Sequence, residues 1–231
     1  MATVLITGAN RGLGLEFCRQ YAEQGWQVIA CARNPDDSFD LNNLANHHSN
    51  IHLEALDVSK FKQIDALSEK LADTAIDVLI NNAGVYLDDK GNGFGNLDYQ
   101  AWTESLLTNT EAPVKMAEAF LPQIKKSDKK LIVNISSLMG SIADNDSGGS
   151  IFYRSSKAAL NAAMKSLAID LKDQSVGVLI FHPGWVKTDM GGLDALINAE
   201  QSITGMRSLI ESFSLNQSGS FIKYDGTPMP W

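Results

Sequence analysis

Only two cysteines, Cys18 and Cys31, occur in the 231 residues, and 19 basic side chains stand against 27 acidic ones for a formal charge of −8. Two thiols cannot build a disulfide scaffold, so a reducing, cytoplasmic setting is the expectation. The shortage of basic groups excludes a nucleic-acid binder, because neutralising phosphates takes a positive surface. No run approaches the roughly 20 apolar residues that a membrane helix needs. The opening MATVLITG lacks the basic, apolar and cleavage sections of a secretory leader. Internal repeats, linkers and low-complexity tracts are missing too. The histidine cluster His47, His48 and His52 has no cysteine or paired carboxylates beside it to complete a metal site, and reads as a solvated loop and strand end.

What is present is ordinary globular composition, 44% hydrophobic and 20% charged, in a length that suits one domain over residues 1–231. Short β-branched runs at Thr3–Thr7, Gln27–Cys31, Ile51–Leu56, Val78–Ile80, Leu131–Ile135 and Val176–Phe181 read as buried strands. Helical patterns at Leu13–Gln24, Lys62–Leu71, Trp102–Ile124 and Ser155–Lys172 alternate with them, and Gly25 follows the first where a left-handed cap is expected. The alternation predicts an α/β fold: a single Rossmann-type, doubly wound parallel sheet with helices on both faces and ligands at the carboxyl ends of the strands. Asp88–Asn96 is glycine-rich and polar, a surface loop by composition. Residues 190–213 are read either as a flap over the substrate or as a plain helical connection, and Phe221–Tyr224 as a further strand.

The first strand runs into Thr7-Gly8-Ala9-Asn10-Arg11-Gly12-Leu13-Gly14 and then a helix. Glycines there permit a tight turn and let backbone N–H groups approach an anion at a helix N-terminus. A structural turn would show the same glycines; the position after an N-terminal strand favours dinucleotide binding. NAD sites usually place an acid at the end of the second strand. This chain has Ala32-Arg33 instead, with no acid until Asp36. Arg11 and Arg33 could flank a 2′-phosphate, or both could be plain surface arginines. The expectation is NADP(H).

Tyr153 and Lys157 lie four apart at the start of a helical pattern, so both can face one site, where an ammonium would favour the phenolate and lower the tyrosine pKa. Upstream, Asn134-Ile135-Ser136-Ser137 ends a strand in hydroxyls. With these pieces together the sequence resembles a classical short-chain dehydrogenase/reductase. The matching segments are TGANRGLG at Thr7–Gly14, LDV at Leu56–Val58, NNAG at Asn81–Gly84, LTN at Leu107–Asn109, NISS at Asn134–Ser137, YRSSK at Tyr153–Lys157 and PGWVKT at Pro183–Thr188. Their order spans nearly the whole chain. The long serine-to-tyrosine loop, the KAALNAAMKSLAIDL stretch and the ending YDGTPMPW are similar to the carbonyl-reductase-like branch, which includes sniffer and the C-factor proteins.

The resemblance implies a division of labour. Tyr153 would exchange a proton with the carbonyl or alcohol oxygen, Ser137 would polarise that oxygen, and Lys157 would lower the tyrosine pKa and hold the nicotinamide ribose. Asn109 would hold a water in a proton relay. For the cofactor it implies Gly8, Asn10, Arg11, Gly12, Leu13 and Gly14 at the phosphates and Asp57 and Val58 at the adenine. Asn81, Asn82, Ala83 and Gly84 would lie along the groove, and Pro183, Gly184, Val186 and Thr188 at the nicotinamide. Ser137 and Tyr153 are 16 positions apart, about three more than is usual in the family, a surplus that the polar loop Gly140–Ser150 can absorb. Ser136 is the competing serine, expected to point to the other side of the strand end. The function implied is an NADP(H)-dependent oxidoreductase acting on small or aromatic aldehydes, ketones or quinones. A cofactor-binding sensor or signalling protein with little turnover is the alternative, disfavoured by the intact Ser–Tyr–Lys–Asn set. Pairing through the two long helices would give a homodimer, with a tetramer open. Trp185 and Met190 are either a substrate wall or strand-end packing, His182 and both cysteines are packing residues, and the basic run Lys125–Lys130 is a solvated turn.

Overall fold

β-Branched runs too apolar to face water on either side have to be covered on both, and the chain does this with one sheet. The computed structural model describes residues 1–89, 91 and 93–231. Among them the strands are β1 (Thr3–Thr7), β2 (Gln27–Ala32), β3 (Ile51–Ala55), β4 (Val78–Asn81), β5 (Leu131–Ile135), β6 (Gly177–His182) and β7 (Ser220–Lys223). They lie in the order β3-β2-β1-β4-β5-β6-β7, and every pairing is parallel. The helices are α1 (Gly12–Glu23), α2 (Phe39–His47), α3 (Phe61–Lys70), α4 (Tyr99–Leu106), α5 (Ala112–Lys125), α6 (Ile151–Asp170) and α7 (Ala199–Glu211).

Strand side chains alternate between two faces. Leu5, Leu79, Ile132 and Ile180 meet Ile64 of α3, Phe120 of α5 and Leu160 and Met164 of α6 on one side. Val4, Ile6, Ile80 and Val133 meet Phe17 of α1, Leu41 of α2 and Ile203 and Met206 of α7 on the other. Because β1 is flanked by β2 and β4, the connections leaving β1 and β4 run in opposite directions. That switch opens a crevice above the carboxyl ends of β1 and β4, where an open α/β sheet takes its ligand.

Four features differ from or refine the sequence reading. Helix α2 was not anticipated: only its Leu41 is buried, so it carries almost no apolar periodicity, and His47 lies in this helix rather than in a loop. The expected Trp102–Ile124 helix is broken into α4, a π-helical stretch at Leu107–Glu111, and α5. Pro113 has no N–H to offer, and the Ala112 N–H reaches five residues back to the Leu107 carbonyl. Within 190–213, residues Ala199–Glu211 are helix α7, rooted in the core by Ile203, Met206 and Ile210, and an extended loop precedes it. Finally, β7 pairs with β6 and forms the outer strand on that side of the sheet. Of the Asp88–Asn96 stretch, Lys90 and Asn92 lie outside the described residues; the described remainder has neither helix nor strand. Among the described residues no helix is long and apolar enough to cross a membrane.

Candidate active site

At the end of β1 the chain turns through Gly8 in the left-handed region (φ 66°), and Thr7 buries its hydroxyl to receive the N–H groups of Asn82 and Ala83, both at 3.0 Å. Asn82 returns the contact, its amide donating to the carbonyls of Thr7 (2.9 Å) and Gly8 (3.1 Å). The two strand ends at the switch are thereby sewn together. A methyl group on Gly14 would run into the Gly8 carbonyl oxygen, and one on Gly8 would come within 2.9 Å of the Ala83 backbone. Helix α1 starts with neither a capping side chain nor an acid in its first turn, so the amides of Gly12, Leu13 and Gly14 have no partner of their own. Those open amides beside a backbone cradle suit a phosphate.

Beyond the turn, a cavity of about 480 Å³ opens beside β2, lined by Asn10, Arg33, Asn34, Asp37, Asp57 and Gln63. Arg33 is therefore the arginine of this cavity. Arg11 is not: its guanidinium pairs instead with Asp189 at 2.6 Å, both side chains well exposed. Asp57 faces the cavity while one of its carboxylate oxygens accepts from the N–H and hydroxyl of Ser59. Val58 turns its side chain into the core. Asn81 also departs from the expected lining role, because it is buried and its amide donates to Asn134 on β5 (2.9 Å), tying the two strands from inside. The groove is left to Asn82, Ala83 and Gly84, all partly exposed.

Tyr153 and Lys157 emerge from the first turns of α6 beside the end of β5. The Lys157 ammonium lies 5.7 Å from the Tyr153 ring centre and donates to the Ile135 carbonyl at 2.9 Å. Burial pushes the Tyr153 phenol up to about 12, opposed by a hydrogen bond with Ser137, and burial pushes Lys157 down to about 8. Desolvation, not the neighbouring ammonium, dominates the tyrosine, which reverses the direction expected from the spacing alone. Ser136 is buried and its hydroxyl donates at 2.6 Å to Asn161, one turn beyond Lys157 on α6, so it is committed to packing the strand end against that helix. The extra length between Ser137 and Tyr153 is taken up by an exposed loop that ends in three consecutive left-handed residues, Gly148, Gly149 and Ser150.

Asn109 lies in the π-helical stretch and is fully buried. Its amide accepts from the Val85 N–H (2.8 Å) and donates to the Val85 carbonyl (2.9 Å) and the Ser156 hydroxyl (3.0 Å). The N–H that would normally close on its backbone carbonyl belongs to position 113, where proline has none. The side chain is thus committed to structure.

Pro183-Gly184 ends β6, and Gly184 (φ 85°) has room for no side chain, since Ile197 and Tyr224 crowd it. Val186 is buried, and Thr188 lies against Gly12, so the loop after β6 folds over the glycine turn. Trp185 and Met190 are half exposed (51% and 52%), Leu193 and Leu196 more so, and the Trp185 indole N–H donates to the Gly191 carbonyl at 2.7 Å within the same loop. Trp102 stacks on Phe152 and donates to Ser155, joining α4 to α6 as a packing residue. Both cysteines are buried and burial pushes their thiols up. Among the described residues no cluster of ligating side chains could hold a metal.

Two contributors, Gly140 and Asp88, escaped the sequence reading, and a third, His182, was expected only as packing. Gly140 packs directly on the Lys157 backbone, where a methyl group would meet the lysine carbonyl carbon at 2.8 Å. His182, pushed down to about 4 by burial, accepts the Leu138 N–H on Nδ1 and so braces the turn after Ser137 as a neutral ring. Asp88 holds the start of α6. None of them stands in a local pattern; each acts on a distant segment.

The family described as short chain dehydrogenase matches residues 2–195. C-signal of Myxococcus xanthus is 40% identical over 156 residues, covering 68% of this chain and 93% of that protein. The structure of the carbonyl reductase Sniffer of D. melanogaster superposes with a TM-score of 0.93 at 38% identity, over all of both chains. That of an NADPH-bound carbonyl reductase from chicken fatty liver does so with a TM-score of 0.92 at 34% identity, over 100% of this chain and 99% of that one.

Proposed function

We propose that this chain, which belongs to the short-chain dehydrogenase family, is an NADP(H)-dependent oxidoreductase that reduces small or aromatic aldehydes or ketones to alcohols, or quinones to hydroquinones. One observation carries the reading: the Tyr153 phenol, the Ser137 hydroxyl and the Lys157 ammonium converge where β5 ends and α6 begins, beside a glycine cradle. The residues present fit the dinucleotide. Gly8 and Gly14 make a cradle that a side chain would fill, the open amides of Gly12 and Leu13 suit its diphosphate, and Arg33 with Asn10 lines a cavity of the right character for a 2′-phosphate. Asp57 and the backbone of Val58 would lie at the adenine, Asn82 to Gly84 along the groove, and Pro183 to Thr188 at the nicotinamide. When bound, the cofactor supplies the hydride.

The chain's own residues manage the proton. A phenol held near 12 keeps its proton at neutral pH, which is the form needed to donate to a carbonyl oxygen as negative charge grows on it. Ser137 steadies the same oxygen by hydrogen bonding. Once the proton has left, the Lys157 ammonium stabilises the phenolate, and because it is itself held near 8 it can pass a proton on readily. A water on the Asn109 carbonyl would connect Lys157 to solvent. Trp185, Met190, Leu193 and Leu196 supply an apolar rim, which suits an aromatic or alkyl carbonyl over a charged one.

The cofactor assignment has its own test. Arg33→Ala should raise the KM for NADPH by about tenfold to a hundredfold, the worth of a charge-assisted hydrogen bond, and leave the KM for NADH nearly unchanged. Equal use of NADH and NADPH by the unaltered enzyme would contradict it.

A further inference from the structure

Helix α6 carries both Tyr153 and Lys157, yet its own flanking sequence does little to fix where it starts. The residue before the helix, Ser150, sits in the left-handed region (φ 45°) and gives no side-chain cap, and Gly148 and Gly149 before it are left-handed as well. The N–H groups of a first helical turn have no acceptor within the helix. Here two of them are met by Asp88, which reaches across 64 positions of sequence. One carboxylate oxygen receives the Phe152 N–H at 3.0 Å, and the other receives the N–H of Tyr153 itself at 2.8 Å.

The segment that carries Asp88 is in turn pinned. Both backbone groups of Val85 are taken by the Asn109 amide. The Tyr86 hydroxyl is paired with that of Ser150 at 2.7 Å, and its ring lies 5.0 Å from the Tyr153 ring. Asn109, Val85, Tyr86, Asp88 and Tyr153 thus form one connected frame around the proton donor. A carboxylate serves better than a neutral cap here, because it makes charge-assisted bonds and opposes the positive end of the helix dipole.

We propose that Asp88 is a positioning residue for the reaction: by gripping the first turn of α6 it fixes the direction in which the Tyr153 hydroxyl points. The proposal rests on Tyr153 being the proton donor. A small rotation of the turn would leave the groove intact while moving the phenol off the carbonyl oxygen, so the loss belongs in kcat and not in cofactor binding.

The test compares Asp88→Ala, Asp88→Asn and Tyr153→Phe by steady-state kinetics with NADPH and a reducible carbonyl, alongside fluorescence titration with NADPH. Asp88→Ala should lose about tenfold to a hundredfold in kcat, the order expected for a misplaced reacting group, with the stoichiometry and affinity of NADPH binding kept. Asp88→Asn should fall between it and the unaltered enzyme, since an amide oxygen can still accept one of the two N–H groups. A kcat for Asp88→Ala within about twofold of the unaltered enzyme overturns the proposal. So does loss of NADPH binding in step with activity, which would make the contact merely structural. If Tyr153→Phe retains activity, the donor assignment fails and the proposal with it. If Tyr153→Phe is inactive while Asp88→Ala is normal, only the role of Asp88 falls.

Discussion

Tyr153→Phe is expected to lower kcat for carbonyl reduction by about 10²- to 10⁴-fold, the contribution of a positioned general acid, while NADPH still binds. Phenylalanine keeps the ring that packs 5.0 Å from Tyr86 and keeps the first turn of α6 on Asp88, so what is lost is the hydroxyl. Ser137 remains and can hydrogen-bond a carbonyl oxygen, but a serine hydroxyl is a much weaker acid than a phenol and cannot replace the proton. Stopped-flow or steady-state oxidation of NADPH reads the rate, and thermal unfolding checks that the fold is unchanged. Retention of most of the activity would remove the proposed chemistry.

Lys157→Met should abolish reduction and at the same time make the protein more stable at neutral pH. Burial holds the Lys157 ammonium near 8, below the usual 10.5. In the unfolded chain the same group keeps its proton up to about 10.5, so between those values the unfolded state binds more protons and stability rises with pH. Below about 8 the full cost of burying the charge is present, roughly 3 kcal/mol for a shift of this size. Methionine fills much the same volume without a charge, but the Ile135 carbonyl loses its donor, which gives back about 1–3 kcal/mol. The net expectation is a gain of about 1 kcal/mol, or roughly 2–4 °C in Tm at pH 7 for a chain of this size, shrinking to nothing or reversing towards pH 10.5. Calorimetry at the two pH values checks it; a variant less stable than the parent at pH 7 would show that the buried ammonium is well compensated. The same shift implies that kcat for reduction declines as pH rises through about 8, where Lys157 loses its charge, long before the phenol at about 12 gives up its proton.

The parts of this molecule that were legible in the sequence are those written in contiguous residues. The strands announce themselves as unbroken β-branched runs, the turn from β1 into α1 by its three glycines, and the pairing of Tyr153 with Lys157 by helical spacing. Helix α2 left no such mark, because a helix lying on the surface with one buried leucine needs no periodicity. The break before α5 could have been found from Pro113, whose missing N–H disturbs the helical ladder four residues after Asn109. Contacts between distant segments were out of reach. Asn81 reads like a groove residue by motif but turns inward to Asn134, Arg11 reads like a phosphate ligand but meets Asp189, and Asp88 lies in a loop with no pattern to connect it to Tyr153. The tyrosine shift runs opposite to the spacing-based expectation for a related reason. Spacing reveals which charges are close, whereas burial depends on everything packed around them.

The most direct test of the central claim is isotopic. The unaltered enzyme is incubated with NADPH deuterated at C4 of the nicotinamide and a panel of aromatic and alkyl aldehydes, ketones and quinones, and the products are examined by mass spectrometry and NMR. The account predicts deuterium on the newly formed carbinol carbon of at least one carbonyl substrate, with NADPH strongly preferred to NADH. Cofactor binding without deuterium transfer to any member of the panel would contradict it.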